Sequence, residues 1–104
     1  MAGLERPEVP LCVIVLRYIV PIEEVDRRMA DHVAWLTRGY AEGIFLASGR
    51  QVPRIGGIIL TRGHKREVEA LAATDPFVSS GAAAAEVIEF TASMAATGFT
   101  ALLA

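Results

Sequence analysis

Two side chains in this sequence have the types needed for proton transfer. His32 lies in "MADHVAWL" and Asp75 in "TDPFVSSG", 43 positions further on. An imidazole held by a carboxylate is an acid–base unit, because the carboxylate fixes the ring's tautomer and orientation while the other ring nitrogen faces the reacting molecule. Each residue also has a purely structural reading. A histidine at the edge of an apolar helix face often just packs and hydrogen-bonds, and an aspartate before proline is a helix N-cap followed by its first helical residue. Spacing alone leaves both readings open.

Four further residues are candidates for binding a ligand. Arg17 ends an apolar alternation on the face of Val13 and Val15, either snorkelling to solvent or holding an anion in a pocket. Arg54, in "VPRIGG", sits beside glycines that would let a ligand approach the backbone; the alternative is an exposed turn charge. Glu89 shares a strand face with Val87 and Thr91 and either meets Arg17 across the sheet or sits at the rim. Ser48 ends a short apolar stretch, where its hydroxyl could orient a ligand. Other motifs carry less. "IGGII" lacks the Lys-Ser/Thr ending of a phosphate loop. His64 has no second His or Cys at ligand spacing, so no metal site is expected. Cys12, the single cysteine, reads as a buried thiol within "LCVIVL". No nucleophile elbow and no cofactor loop is present.

The elements that must position these residues follow from periodicity. "LCVIVLRY" reads as a first strand. Pro21 opens a long helix whose apolar face recurs at Ile22, Val25, Met29, Val33, Leu36 and Tyr40, with Gly43 near its end. "IFLASG" and "GIILTR" form a second and third strand, an antiparallel hairpin closed through "RQVPRIGG". "HKREVEALAATD" is a second helix and "AAEVIEFTA" a fourth strand. The order β-α-β-β-α-β is the ferredoxin-like α+β arrangement, a four-stranded antiparallel sheet with two helices on one face. In the first strand Leu11, Val13 and Val15 point one way and Cys12, Ile14 and Leu16 the other, so both sheet faces are apolar. Helices cover only one of them, and a homodimer through the open face is the simplest closed solution. The expected organisation is a flexible lead-in over 1–10, one domain over 11–93, and a docked tail over 94–104.

A chain of 104 residues has room for one core. Its net charge of −2, with arginines spread among acids, excludes the positive field that nucleic-acid binding needs. The run Leu11–Leu16 is too short to span a bilayer, and the first ten residues lack the layout of a secretion signal. The expectation is a cytoplasmic protein that binds a small molecule and neither nucleic acid nor membrane.

Taken together, "HVAWL", "GYAEGIFLASG", "PRIGGIIL" and "DPFVSSG" resemble the YCII-related (YciI-like) family, from the first strand to the fourth. The resemblance implies a ferredoxin-like fold that pairs into a dimeric α+β barrel, and a site with a histidine and an aspartate, carried onto His32 and Asp75. Dehydrochlorinases and lactone-handling enzymes occur among the relatives. Two departures stand out. Members often carry Gly-Pro after the second strand, where this chain has "SGRQVP". An arginine commonly lies three residues before the histidine, where this chain has Met29, with Arg28 one position earlier.

The functional expectation is a small cofactor-independent enzyme acting on a modest organic acid, open-chain or cyclic, by elimination, isomerisation or hydrolysis. His32 would be the acid/base, Asp75 its orienter, and Arg17 or Arg54 the anion binder. The competing reading is a non-catalytic ligand-binding or interaction module using the same cleft.

Overall fold

In the computed structural model, which describes residues 3–104, the β-branched and aliphatic run near the N-terminus forms the central strand β1 (Val9–Tyr18). Met1 and Ala2 of the expected lead-in lie outside the described residues. Strand β2 (Phe45–Arg50) pairs with β3 (Gly56–Arg62), β3 with β1, and β1 with β4 (Ala83–Ala92), all antiparallel. The spatial order β2-β3-β1-β4 is that of the ferredoxin-like α+β fold. Ile14 sits between Ile59 and Val87 in this register, and all three are buried. Removing side chains of the size of Ile14 and Leu16 from water contributes about 1.5–3 kcal/mol each. They anchor a core that also takes Val25, Trp35, Val68 and Phe77 from the covering helices.

The long first helix of the sequence reading is two helices, α1 (Ile22–Arg27) and α2 (Met29–Ala41). Arg28 lies between them at φ −97°, ψ −1°, and its N–H bonds the carbonyl of Val25, a tighter turn than the α-helix makes. The break changes which face is buried. Along α2 the buried residues are His32, Trp35 and Gly39, whereas Val33 and Tyr40, expected in the inward stripe, are 48% and 40% exposed. Gly39 has a packing reason. A Cβ there would lie 2.1 Å from the ring of Phe45, which packs directly against the helix backbone.

The second expected helix also divides, into α3 (Lys65–Ala72) and a single turn, α4 (Pro76–Ser79). Proline drives its predecessor out of the helical region, and Asp75 is accordingly extended at φ −60°, ψ 127°. Gly81, at φ +81°, then releases the chain into β4.

One irregularity in the hairpin bears on everything below. Phe45 pairs with Thr61, yet Ala47 pairs with Leu60, so Leu46 is an extra residue, a β-bulge. Beyond it the alternation of β2 is inverted. Phe45 faces the helices, and so do Ser48, opposite Ile59, and Arg50, opposite Gly57. A regular strand would have turned Ala47 and Gly49 that way.

Among the described residues no α-helix covers the other sheet face. Val13, Val15, Ile58 and Leu60 are half-buried there, and Ile88 and Phe90 are exposed. At the ends of the chain, Glu5 forms a bridge with Ala95, and its carboxylate accepts the N–H groups of Gly98 and Thr100 at 2.9 and 2.7 Å. Hydrogen bonding from Thr100 and Gly98 holds the Glu5 carboxyl below the usual range. No helix among the described residues is long and apolar enough to cross a membrane.

Candidate functional site

The dipeptide Thr74–Asp75 ties α2 to the α3–α4 junction by two side-chain hydrogen bonds. Asp75 Oδ1 caps α4 by accepting the N–H of Phe77 at 3.0 Å. The same oxygen lies 2.8 Å from His32 Nδ1. Since the carboxylate is the acceptor, Nδ1 carries the hydrogen, which leaves Nε2 as the free ring nitrogen. One residue earlier, Thr74 Oγ1 accepts the Trp35 Nε1–H at 2.9 Å and donates to the carbonyl of Leu71 at 2.6 Å. His32 and Trp35 are one helical turn apart, so their two partners sit side by side along α2.

The imidazole is also gripped by its faces. It stacks on Phe77 with ring centroids 3.9 Å apart and planes 9° from parallel, with Trp35 at 6.0 Å. Asp75 is 0% exposed and His32 9%. A carboxylate so deeply buried needs a partner of opposite charge or several donors, and His32 Nδ1 and the Phe77 N–H are the donors that Oδ1 meets. Asp75 Oδ2 is buried and unpartnered among the described residues.

His32 forms part of the wall of a cavity of about 250 Å³ between α2 and the sheet. Leu16, Tyr18, Ile59 and Phe77 contribute apolar surface, as do Met29, Val33 and Leu36 of α2. The apolar residues of α2 that are not sealed in the core therefore line an accessible hollow instead. Its polar groups are the imidazole, the Ser48 hydroxyl, which hydrogen-bonds the Tyr40 hydroxyl at 2.6 Å, and Arg50.

The structure brings His32, Asp75 and Ser48 together and leaves the other candidates apart. Arg17 is exposed on the helix-free face, opposite Gly56 and Ala84. Arg54 reaches from the β2–β3 loop to Asp26 of α1 at 2.7 Å and lies over the Tyr18 ring at 5.8 Å. The hydrogen bond to Asp26 pushes the Arg54 guanidinium further up. Glu89 does not meet Arg17. It lies on the helix-bearing face opposite Cys12 and accepts the N–H of Lys65 at the start of α3, with His64 Nδ1 at 3.4 Å. Those contacts, Lys65 first, hold the Glu89 carboxyl below the usual range. Cys12 is fully buried, donates to the carbonyl of Gly63 at 3.3 Å, and has its thiol pushed up by burial. Among the described residues no three His, Cys, Asp or Glu side chains converge as a metal site would require.

Arg50, Tyr18, Tyr40 and Gly57 were not singled out as site residues from the sequence. The signal that would have found Arg50 and Ser48 together is their two-residue spacing in β2, which reads correctly only once the Leu46 bulge is known.

A ferredoxin-like α+β domain with a buried His–Asp pair whose histidine lines a small cavity is the class that this fold and geometry define. The chain belongs to the YCII-related domain family, whose model matches residues 11–91. Among solved structures it is similar to the 5-chloro-2-hydroxyhydroquinone dehydrochlorinase of Burkholderia phenoliruptrix AC1100 in complex with 2,5-dihydroxybenzoquinone. The TM-score is 0.64 at 20% identity, over 75% of this chain and 90% of that one. At that identity the likeness speaks to the fold. No curated protein matches the chain in sequence.

Proposed function

We propose that the protein is a small enzyme that moves a proton on a single-ring organic molecule bound in the His32 cavity. His32 Nε2 is the acid/base, Asp75 orients the ring through Nδ1, and Ser48 positions the ligand. The observation carrying this reading is the 2.8 Å contact between Nδ1 and a carboxylate oxygen, with His32 in the cavity wall. In an elimination, Nε2 accepts a proton from the ring or its hydroxyl while the leaving group departs with its bonding electrons. Loss of HX in this way needs no oxidant or reductant. The ferredoxin-like neighbour, a dehydrochlorinase that binds a dihydroxybenzoquinone, supports choosing halogenated hydroquinones as first substrates.

The functional unit spans 11–93, with 94–104 held against it, and operates as a homodimer through the helix-free sheet face. In support, that face presents the exposed Ile88 and Phe90 beside half-buried Val13 and Leu60.

The test is turnover on a panel of hydroxylated and halogenated single-ring compounds, followed by halide release and by NMR of the ring protons. The wild type should convert at least one member, and His32→Gln should lose about a hundredfold or more of that rate. Binding without chemical change across the panel, or equal rates in wild type and variant, would mean a non-catalytic binding module.

A further inference from the structure

The charge lining the cavity points to what it binds. No Asp or Glu is among the lining residues, and Asp75, behind His32, is sealed from solvent. Arg50 is the fixed charge among the lining residues, and its guanidinium makes no hydrogen bond or ion pair with any other described residue. Arg54 is engaged by Asp26, and Arg17 lies on the opposite sheet face.

An exposed arginine on an edge strand is ordinarily just solvated, so placement must carry the argument. Three features place Arg50. The Leu46 bulge turns Arg50 and Ser48 together onto the helix-bearing face. Gly57, directly across from Arg50 and Leu16, offers no side chain, which leaves room above the sheet between them. Most of the remaining wall is apolar and aromatic, a composition that suits the faces of a ring better than a chain of hydroxyls. A volume of about 250 Å³ is small beside drug-sized pockets and suits one ring with short substituents.

We propose that Arg50 is the anion-binding, specificity-determining residue of this cavity, and that the ligand is a planar single-ring oxyanion of the benzoate type. The carboxylate pairs with the guanidinium fork while the ring occupies the apolar space beside His32. This rests on the cavity being the functional site, as in the reading above, but not on turnover, so binding alone tests it.

The probes are benzoate and its neutral isostere benzamide, titrated into isotopically labelled protein at fixed ionic strength and followed by NMR. Benzoate should shift the signals of His32, Ser48 and Gly57 and bind about tenfold or more tighter than benzamide, as a charge-assisted pair implies. Arg50→Gln should bring benzoate down to the level of benzamide without changing benzamide, and Arg50→Lys should retain part of the preference. Arg54→Gln should leave the preference intact. Equal binding of the two probes by the wild type, a preference surviving Arg50→Gln, or no binding of either in this cavity would each overturn the assignment. A cavity that prefers benzoate but turns over no substrate would instead remove the enzyme reading and keep the Arg50 site.

Discussion

Asp75 Oδ1 serves two donors, the Phe77 N–H that starts α4 and the His32 Nδ1–H. Capping and aiming are therefore one geometry, and substitution can separate them. Asparagine caps a helix about as well as aspartate, and its carbonyl oxygen can still accept both hydrogens, but it brings no charge to the imidazole. Alanine removes the acceptor and leaves two buried donors unpaired. Asp75→Ala should cost about 2–4 kcal/mol of unfolding free energy in urea titrations, the sum of a lost cap and a buried unmade bond. Asp75→Asn should cost less than half as much, yet lower turnover about a hundredfold because the negative charge that favours a protonated imidazole is gone. If Asp75→Asn were as unstable as Asp75→Ala, the charge itself would be what holds the pair together. If it kept full activity, Asp75 would be a cap and nothing more.

At the level of elements, α3 is started by a residue from a different strand. His64, its N-cap position, makes no side-chain capping bond, and Glu89 of β4 accepts the Lys65 N–H in its place. Glu89 thus supplies both an acceptor and a negative charge at the positive end of the helix. Its folded carboxyl is held below the ordinary value of about 4.3. Between the folded and unfolded values the unfolded chain binds more protons, so stability from Glu89 is full above the ordinary value and disappears as pH falls through the depressed one. Glu89→Gln should accordingly be less stable than wild type at neutral pH, with the gap closing in acid. Glu5, shifted in the same direction, titrates in both proteins and cancels. A gap independent of pH in matched urea melts would rule out the charge. The order of strands and helices was legible in the sequence because periods of two and of three to four residues survive in "LCVIVLRY" and in "HVAWL". The breaks were less so. Arg28 carries no sequence mark of a helix break, and the Leu46 bulge depends on pairing with β3, so neither the rotated inner face of α2 nor the inward turn of Arg50 could be read locally. Asp75–Pro76 was the exception, since proline's constraint on its predecessor is local; the pairing with His32 was legible through the family resemblance, because spacing alone left it open.

Across the whole molecule, the two sheet faces have different fates. Cys12, Ile14 and Leu16 are sealed beneath helices, while Val13, Ile88 and Phe90 form rows with Leu60 and Ile58 that no α-helix among the described residues covers. Arg17 and Glu86 flank these rows at one end of the sheet, as a polar rim flanks an apolar interface centre. A closed pair of identical surfaces is the arrangement that buries such a face without leaving a second one open. It would back the sheet against a second sheet and stiffen the floor from which Leu16, Gly57 and Ile59 line the cavity. The wild type should scatter light as twice the chain mass at micromolar concentration. Placing like charges at the centre of the face, as in Ile88→Glu or Phe90→Glu, should yield monomers that keep the far-ultraviolet circular dichroism of the parent, because both side chains point away from the core. These monomers should also bind cavity ligands more weakly, through a less rigid floor rather than through any lost contact. A wild type that stays monomeric, or glutamate variants that still pair, would assign the apolar face to some other partner and leave the His32 cavity complete within one chain.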